Sequence, residues 1–201
     1  IKKDKNMKNK FLIYILIFIS IIYFSSCKTD VKEKINEKDF NLTQSETENI
    51  DKIIMSDKAG NIITLEKENE KWIINSKYPV WERQIKYTLG VMKDIRIKSS
   101  VSEQKTKFVL QNIATKGVKV EIFEKEQKIK SYYIGGNTSN HHGTYMIMDK
   151  AKNAYVMHIP DRHPGILNPK YGIEGIYVNE TVWREPITIN ISPEKISEVK
   201  V

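Results

Sequence analysis

Apolar and polar positions divide this chain into stretches of different character. Phe11 to Phe24 is a run of 14 residues in which only Ser20 falls outside the apolar and aromatic set. From Cys27 to about Asn49 the chain is polar, with Val31, Ile35, Phe40 and Leu42 too sparse to bury much. That composition predicts an extended or mobile tether of about 20 residues. Order is expected from Ile50. Ile50, Ile53 and Met55 lead into the turn cluster Asp57–Asn61, then Ile62 to Leu65, which reads as a hairpin. A turn at Glu68–Glu70 and a third strand at Trp72–Ile74 follow. Tyr78-Pro79 is expected to open a helix whose stripe is Trp81, Ile85, Leu89 and Met92. Arg96 to Val101 reads as a strand. Ser102 then caps a helix over about 103–115, with Gly117 as a left-handed stop.

From Val118 the period changes to two. Val118, Val120 and Ile122 alternate with polar partners, and Ile129–Ile134, Thr144–Met148 and Ala154–Ile159 add three short strands. Their turns are placed at Glu124–Gln127, Gly135–His141 and Asp149–Asn153. Residues 160–186 hold Pro160, Pro164, Gly165, Pro169, Gly172, Gly175 and Pro186, the composition of a long functional loop. Thr188 to Ile191 follows. The last run, Ile196 to Val201, echoes the spacing of Ile50, Ile53 and Met55, as a further strand or a truncated repeat would. The fold class is therefore α+β, mostly antiparallel strands as a hairpin plus a meander with one or two short helices, and a first unit of a tandem repeat. The divisions are 1–26, 27–49, 50–195 and 196–201.

Composition narrows the class. The 201 residues are 40% hydrophobic and 29% charged with a single Cys, which excludes disulfide frameworks, Cys-rich metal sites and collagen-like or wholly disordered chains. The net charge of +8 overstates the basicity of the main body. Five lysines and Asp4 lie in residues 1–26, so 28 basic and 24 acidic residues remain beyond them. Those charges are interleaved, as in Lys32-Glu33-Lys34, with no basic stripe that would suit nucleic acid.

The first segment carries an address. Lys8 and Lys10 follow Met7 and precede the apolar run, as in a secretory signal, and Ile1 to Asn6 read as an overhang before a start at Met7. Phe24-Ser25-Ser26-Cys27 resembles the lipobox of bacterial lipoproteins, with Phe24 where Leu, Val or Ile is common. That resemblance implies cleavage before Cys27 and lipidation of its sulfur, and two or more acyl chains give stable attachment. The alternatives are an uncleaved anchor, for which the apolar run is short of about 20 residues, and ordinary secretion.

Candidate chemistry is sparse. His141, His142, His158 and His163 fall on neighbouring turns and strand ends and could gather a transition metal, although no ligand spacing is recognised and polar residues suited to turns are the favoured account. Gly135-Gly136-Asn137 lacks the following helix that a phosphate loop needs and reads as a hairpin turn. No Gly-x-Ser-x-Gly elbow is present, so no nucleophile or catalytic residue is picked out. Trp72 and Trp81 are expected in the core. Tyr171, Tyr177, Trp183 and Arg184, in the long loop, are expected to form a binding surface.

Several segments together resemble one bacterial family. Ile63-Thr64-Leu65-Glu66-Lys67, Lys71 to Pro79, Gly117-Val118-Lys119-Val120, Lys130 to Gly136, Gly143-Thr144-Tyr145-Met146, Val156 to Pro160 and Trp183-Arg184-Glu185 are similar to the domain of unknown function 4340. The Phe-Ser-Ser-Cys form is similar to lipoproteins of the Bacteroidetes. The resemblance implies an α+β envelope lipoprotein, sometimes in tandem, and an accessory role beside transporters of the gliding-motility type. It assigns no catalytic residue.

The expected function is a non-catalytic binding or assembly module. It would be lipid-anchored to the outer membrane, on its periplasmic or surface face, with the inner membrane as the alternative. An envelope protein is the expected partner, with no nucleic acid, no cofactor and no identifiable small molecule. The rivals are a metal-dependent envelope enzyme built on the four histidines and a structural spacer.

Overall fold

The computed structural model describes residues 37–161, 165–186 and 192–198. Nine strands form one antiparallel sheet in the order β4-β3-β2-β1-β6-β7-β8-β9-β5. They are β1 Lys52–Ser56, β2 Ile62–Glu68, β3 Lys71–Ile74, β4 Tyr78–Pro79, β5 Arg96–Ser100, β6 Val118–Glu124, β7 Gln127–Asn137, β8 Thr144–Met148 and β9 Tyr155–His158. The fold is α+β. It contains two four-stranded meanders, β1–β4 and β6–β9, joined edge to edge where β1 pairs with β6 and Met55 faces Val120.

Register explains the core. In an antiparallel pair directly opposed residues share a face. Ile53 opposes Leu65 and Ile122, Val120 opposes Tyr132, and Ile134 opposes Met146. All of these are buried. The opposite face is covered over β7 and β8 by helix α4, Glu103–Lys116, whose Val109 and Ile113 cluster with Ile147 and Ala154. Helix α3, Glu82–Asp94, buries Ile85, Thr88, Val91 and Met92.

Several local readings need correction. Tyr78-Pro79 does not open α3 but forms the edge strand β4, where a missing N–H does no harm. Gly117 does end α4, yet its φ is −71°, not left-handed. It is small because a Cβ there would lie 2.5 Å from the Ile113 carbonyl oxygen. Gly135 and Gly136 lie within β7, not in a turn. A Cβ on Gly135 would come within 2.6 Å of Ile113 Cγ1, so this glycine lets α4 sit close to the sheet. The two-residue hairpins Asn69-Glu70 and Lys125-Glu126 adopt positive φ at both positions without any glycine.

The expected tether is also shorter than composition suggested. Helices α1 Glu37–Phe40 and α2 Gln44–Asn49 precede β1, and Phe40 and Leu42 are 1% and 2% exposed. The Phe40 ring meets Tyr132 and Tyr155 at centroid separations of 6.5 and 6.0 Å. Two apolar residues suffice because both enter the main core. Thr43 starts α2 with a capping box: its N–H reaches Glu46 Oε2 at 2.6 Å, and Glu46 N–H reaches Thr43 Oγ1 at 3.1 Å.

Cys27 and the run Phe11–Phe24 lie outside the described residues. Among those described, no helix is long and apolar enough to cross a membrane. Ile196–Glu198 form no strand, and 199–201 lie outside the description, as does the Thr188–Ile191 run.

Candidate functional site

The 165–186 segment is not an open loop. It contains a 3-10 turn at Asn168–Tyr171, the small hairpin β10 Ile173–Glu174 and β11 Tyr177–Val178, and a second 3-10 turn at Glu180–Val182. Tyr171 and Trp183, expected on a binding surface, are both 0% exposed. The hydroxyls of Tyr171 and Tyr132 are 3.0 Å apart, and burial pushes both phenols well above their ordinary range. Trp183 packs over Gly172, whose φ of +64° and missing Cβ let the indole approach: a Cβ would stand 2.4 Å from Nε1. These two aromatics close the core because the glycine-containing turns fold the segment back onto the sheet.

Tyr177 is exposed, as expected, at the tip of the small hairpin beside Ile176. Arg184 is half-buried. Its guanidinium carbon lies 3.7 Å from the centroid of the Tyr78 ring, and it pairs with Glu180 at 3.6 Å. Glu180 in turn accepts from Asn75 Nδ2 at 2.9 Å. Arg184 thus pins the segment to β4, where Val80 bridges to it.

His141 and His142 are exposed in the β7–β8 loop, and His158 is half-buried on β9 opposite Arg96. His163 lies outside the described residues. Among those described, no group of three or more His, Cys, Asp or Glu could hold a metal ion.

A different site emerges at the β3–β4 end of the sheet. A groove of about 700 Å³ opens between α2, the start of α3 and the β2–β3 hairpin. Its floor is apolar: Ile50, Val80 and Ile85 are buried, and Trp72 and Leu89 are half-buried. Its rim carries Lys67, Lys71 and Lys86 against Glu48, Glu70, Glu82 and Glu185. Lys67 pairs with Glu70 at 2.9 Å and Lys86 with Glu82 at 2.5 Å. The Lys86 ammonium holds the Glu82 carboxyl below the usual carboxylate range. An apolar floor with a charge-balanced rim suits a protein segment better than a small ion.

No reading of the residues in sequence order pointed to this groove. The place of Trp72 in a strand predicts a core residue, and the other walls come from four separated segments. The Thr43-Gln44-Ser45-Glu46 box was the one local signal that α2 would fold and supply a wall. Comparison of the chain with protein-family models, with curated proteins and with solved structures finds no match.

Proposed function

We propose that this chain is a membrane-tethered lipoprotein whose folded unit is a non-catalytic binding module, with the Trp72–Leu89 groove as its partner surface. The observation that carries the binding reading is the groove itself: half-buried Trp72 and Leu89 on an apolar floor, rimmed by lysines and glutamates that largely neutralise one another. Its occupant is a protein segment that inserts an apolar anchor between mixed charges. The accessory role beside a transport or motility system rests on the residues that resemble the family named above. The metal-dependent alternative has no comparable observation behind it.

Supporting the tether is the Phe24-Ser25-Ser26-Cys27 sequence after the apolar run. Nine residues separate Cys27 from Glu37, and such a length spans at most about 35 Å.

Two measurements test these parts separately. Intact mass of membrane-extracted protein should show cleavage before Cys27 plus acyl chains, both absent in Cys27→Ala. An uncleaved, unmodified mass would refute the tether. Crosslinked membranes should yield the same envelope protein repeatedly with the native chain and lose it with Leu89→Glu. Equal capture by that variant would remove the groove as the partner surface.

A further inference from the structure

A second cleft, of about 290 Å³, lies at the other end of the sheet, where β5 and the start of α4 meet the β7–β8 loop. It is independent of the groove and of the tether. Lys98, Lys105 and His142 stand on its wall with the hydroxyls of Ser99, Ser100 and Ser139, and among the described residues no Asp or Glu lines it. The groove at the opposite end carries four glutamates, so the charge mixing typical of this chain stops here.

The loop wall is built, and several of its acceptors are engaged by internal bonds. The Gly143 carbonyl takes the Thr138 N–H at 2.9 Å. The His141 carbonyl takes the Gly165 N–H at 3.0 Å, and the His142 carbonyl takes Lys98 Nζ at 3.2 Å. Asn140 Oδ1 accepts from the Thr138 hydroxyl at 2.8 Å and from the His142 N–H at 3.1 Å. That pair fixes the amide so that its NH2 is the end left over. Gly165 packs on this loop so closely that a Cβ would stand 2.5 Å from the His142 carbonyl oxygen. His141 holds a φ of 57° within it, a conformation that persists only where the surroundings enforce it.

The exposed wall offers a set of donors. The Lys98 ammonium has N–H groups beyond the one it gives to His142. Lys105, the serine hydroxyls and the Asn140 NH2 add to it. Tyr145 and Val156 provide an adjoining apolar side. We propose that this cleft binds the tetrahedral oxyanion of a phosphate monoester. Two lysines act as point charges on the oxyanion, hydroxyls and the amide bond its remaining oxygens, and the Tyr145–Val156 side receives the ester carbon. The same chemistry is met by a phospholipid headgroup and by a soluble phosphate.

The test uses the full chain in neutral detergent at constant ionic strength, with chloride exchanged for inorganic phosphate, and the thermal midpoint as readout. A parallel arm reads the thermal midpoint of the full chain inserted in phosphatidylcholine vesicles with and without phosphatidic acid, so that the lipid anchor itself is common to both. A saturable response to phosphate, or one confined to vesicles holding phosphatidic acid, is expected, and the two identify a soluble or a lipid source. Either response should weaken by about tenfold or more in the double variant Lys98→Gln/Lys105→Gln. Lys105→Gln alone, which touches none of the loop bonds above, should weaken it while leaving the midpoint in chloride unchanged. No saturable response in either arm, or one that both variants retain in full, would overturn the proposal.

Discussion

Asp57 clasps the two ends of the fold, and removing its charge should loosen both. The side chain is 7% exposed in the β1–β2 turn. Oδ1 accepts the N–H groups of Ala59 and Asn61 at 2.9 and 3.0 Å. Oδ2 accepts Asn61 Nδ2 at 2.8 Å and the Val178 N–H at 3.2 Å. The last bond ties the first hairpin to β11. Burial works against the carboxylate, but the bonds from Asn61, Val178 and Ala59 together outweigh it and hold Asp57 below the ordinary value of 3.8. In Asp57→Asn one oxygen becomes an NH2 group that must face two donors. A buried donor left unsatisfied costs about 1–3 kcal/mol, and a bond to a charged acceptor is worth about 1.5–3. Since Asn61 can turn to water, the net loss should be about 2–3 kcal/mol, and somewhat more for Asp57→Ala. Urea denaturation followed by circular dichroism at pH 7 would read this loss.

The same experiment at lower pH checks the cause. A carboxyl whose folded pKa is depressed contributes stability that is fully present above its unfolded value and lost as pH falls through the folded one. The gap between native and Asp57→Asn proteins should therefore hold from pH 7 to about 4 and shrink below that. A gap under about 0.5 kcal/mol at pH 7, against the 1–3 expected of an orphaned donor, would refute the reasoning. So would a gap that stays constant into acid.

Three other substitutions test separate parts of the fold. Phe40→Ala should cost about 3–5 kcal/mol in the same denaturation assay; a cost near zero would restore the longer tether read from composition. Tyr171→Phe should cost about 1–2 kcal/mol by stranding the buried Tyr132 hydroxyl, and adding Tyr132→Phe should recover much of it. Purely additive losses would show that the two hydroxyls do not depend on each other. Gly172→Ala should destabilise by at least about 1–3 kcal/mol, because it combines a left-handed φ with a clash against Trp183; a neutral thermal midpoint would mean that the indole can shift freely.

Local pattern was enough for most of the elements and not for how they meet. The alternation of Val118, Val120 and Ile122 identified β6, and the sequence from Asp57 to Asn61 identified a turn, because each depends on neighbours in the chain. The pairing of β1 with β6 and of β5 with β9 depends on residues far apart. Those pairings turn an expected hairpin plus meander into one nine-stranded sheet. The burial of Phe40 and Leu42 is invisible to local pattern for a related reason. Two apolar residues in a polar stretch cannot make a core by themselves, but they can complete one that other strands supply.

The tryptophans show why the candidate sites were least legible. Trp183 follows a proline- and glycine-rich stretch and looked exposed, yet it is fully buried against Gly172. Trp72 sits in an alternating strand and looked like core, yet β3 ends the sheet beside a two-residue β4, and its ring lines the groove. Strand alternation assigns a residue to a face; whether that face is covered depends on what crosses it. At the β3 end the cover runs out, and at the β5 end a polar loop stands beside Lys98 without closing over it. The two proposed binding surfaces lie at the two margins of one sheet, and a margin is a property of strand order that no single segment encodes.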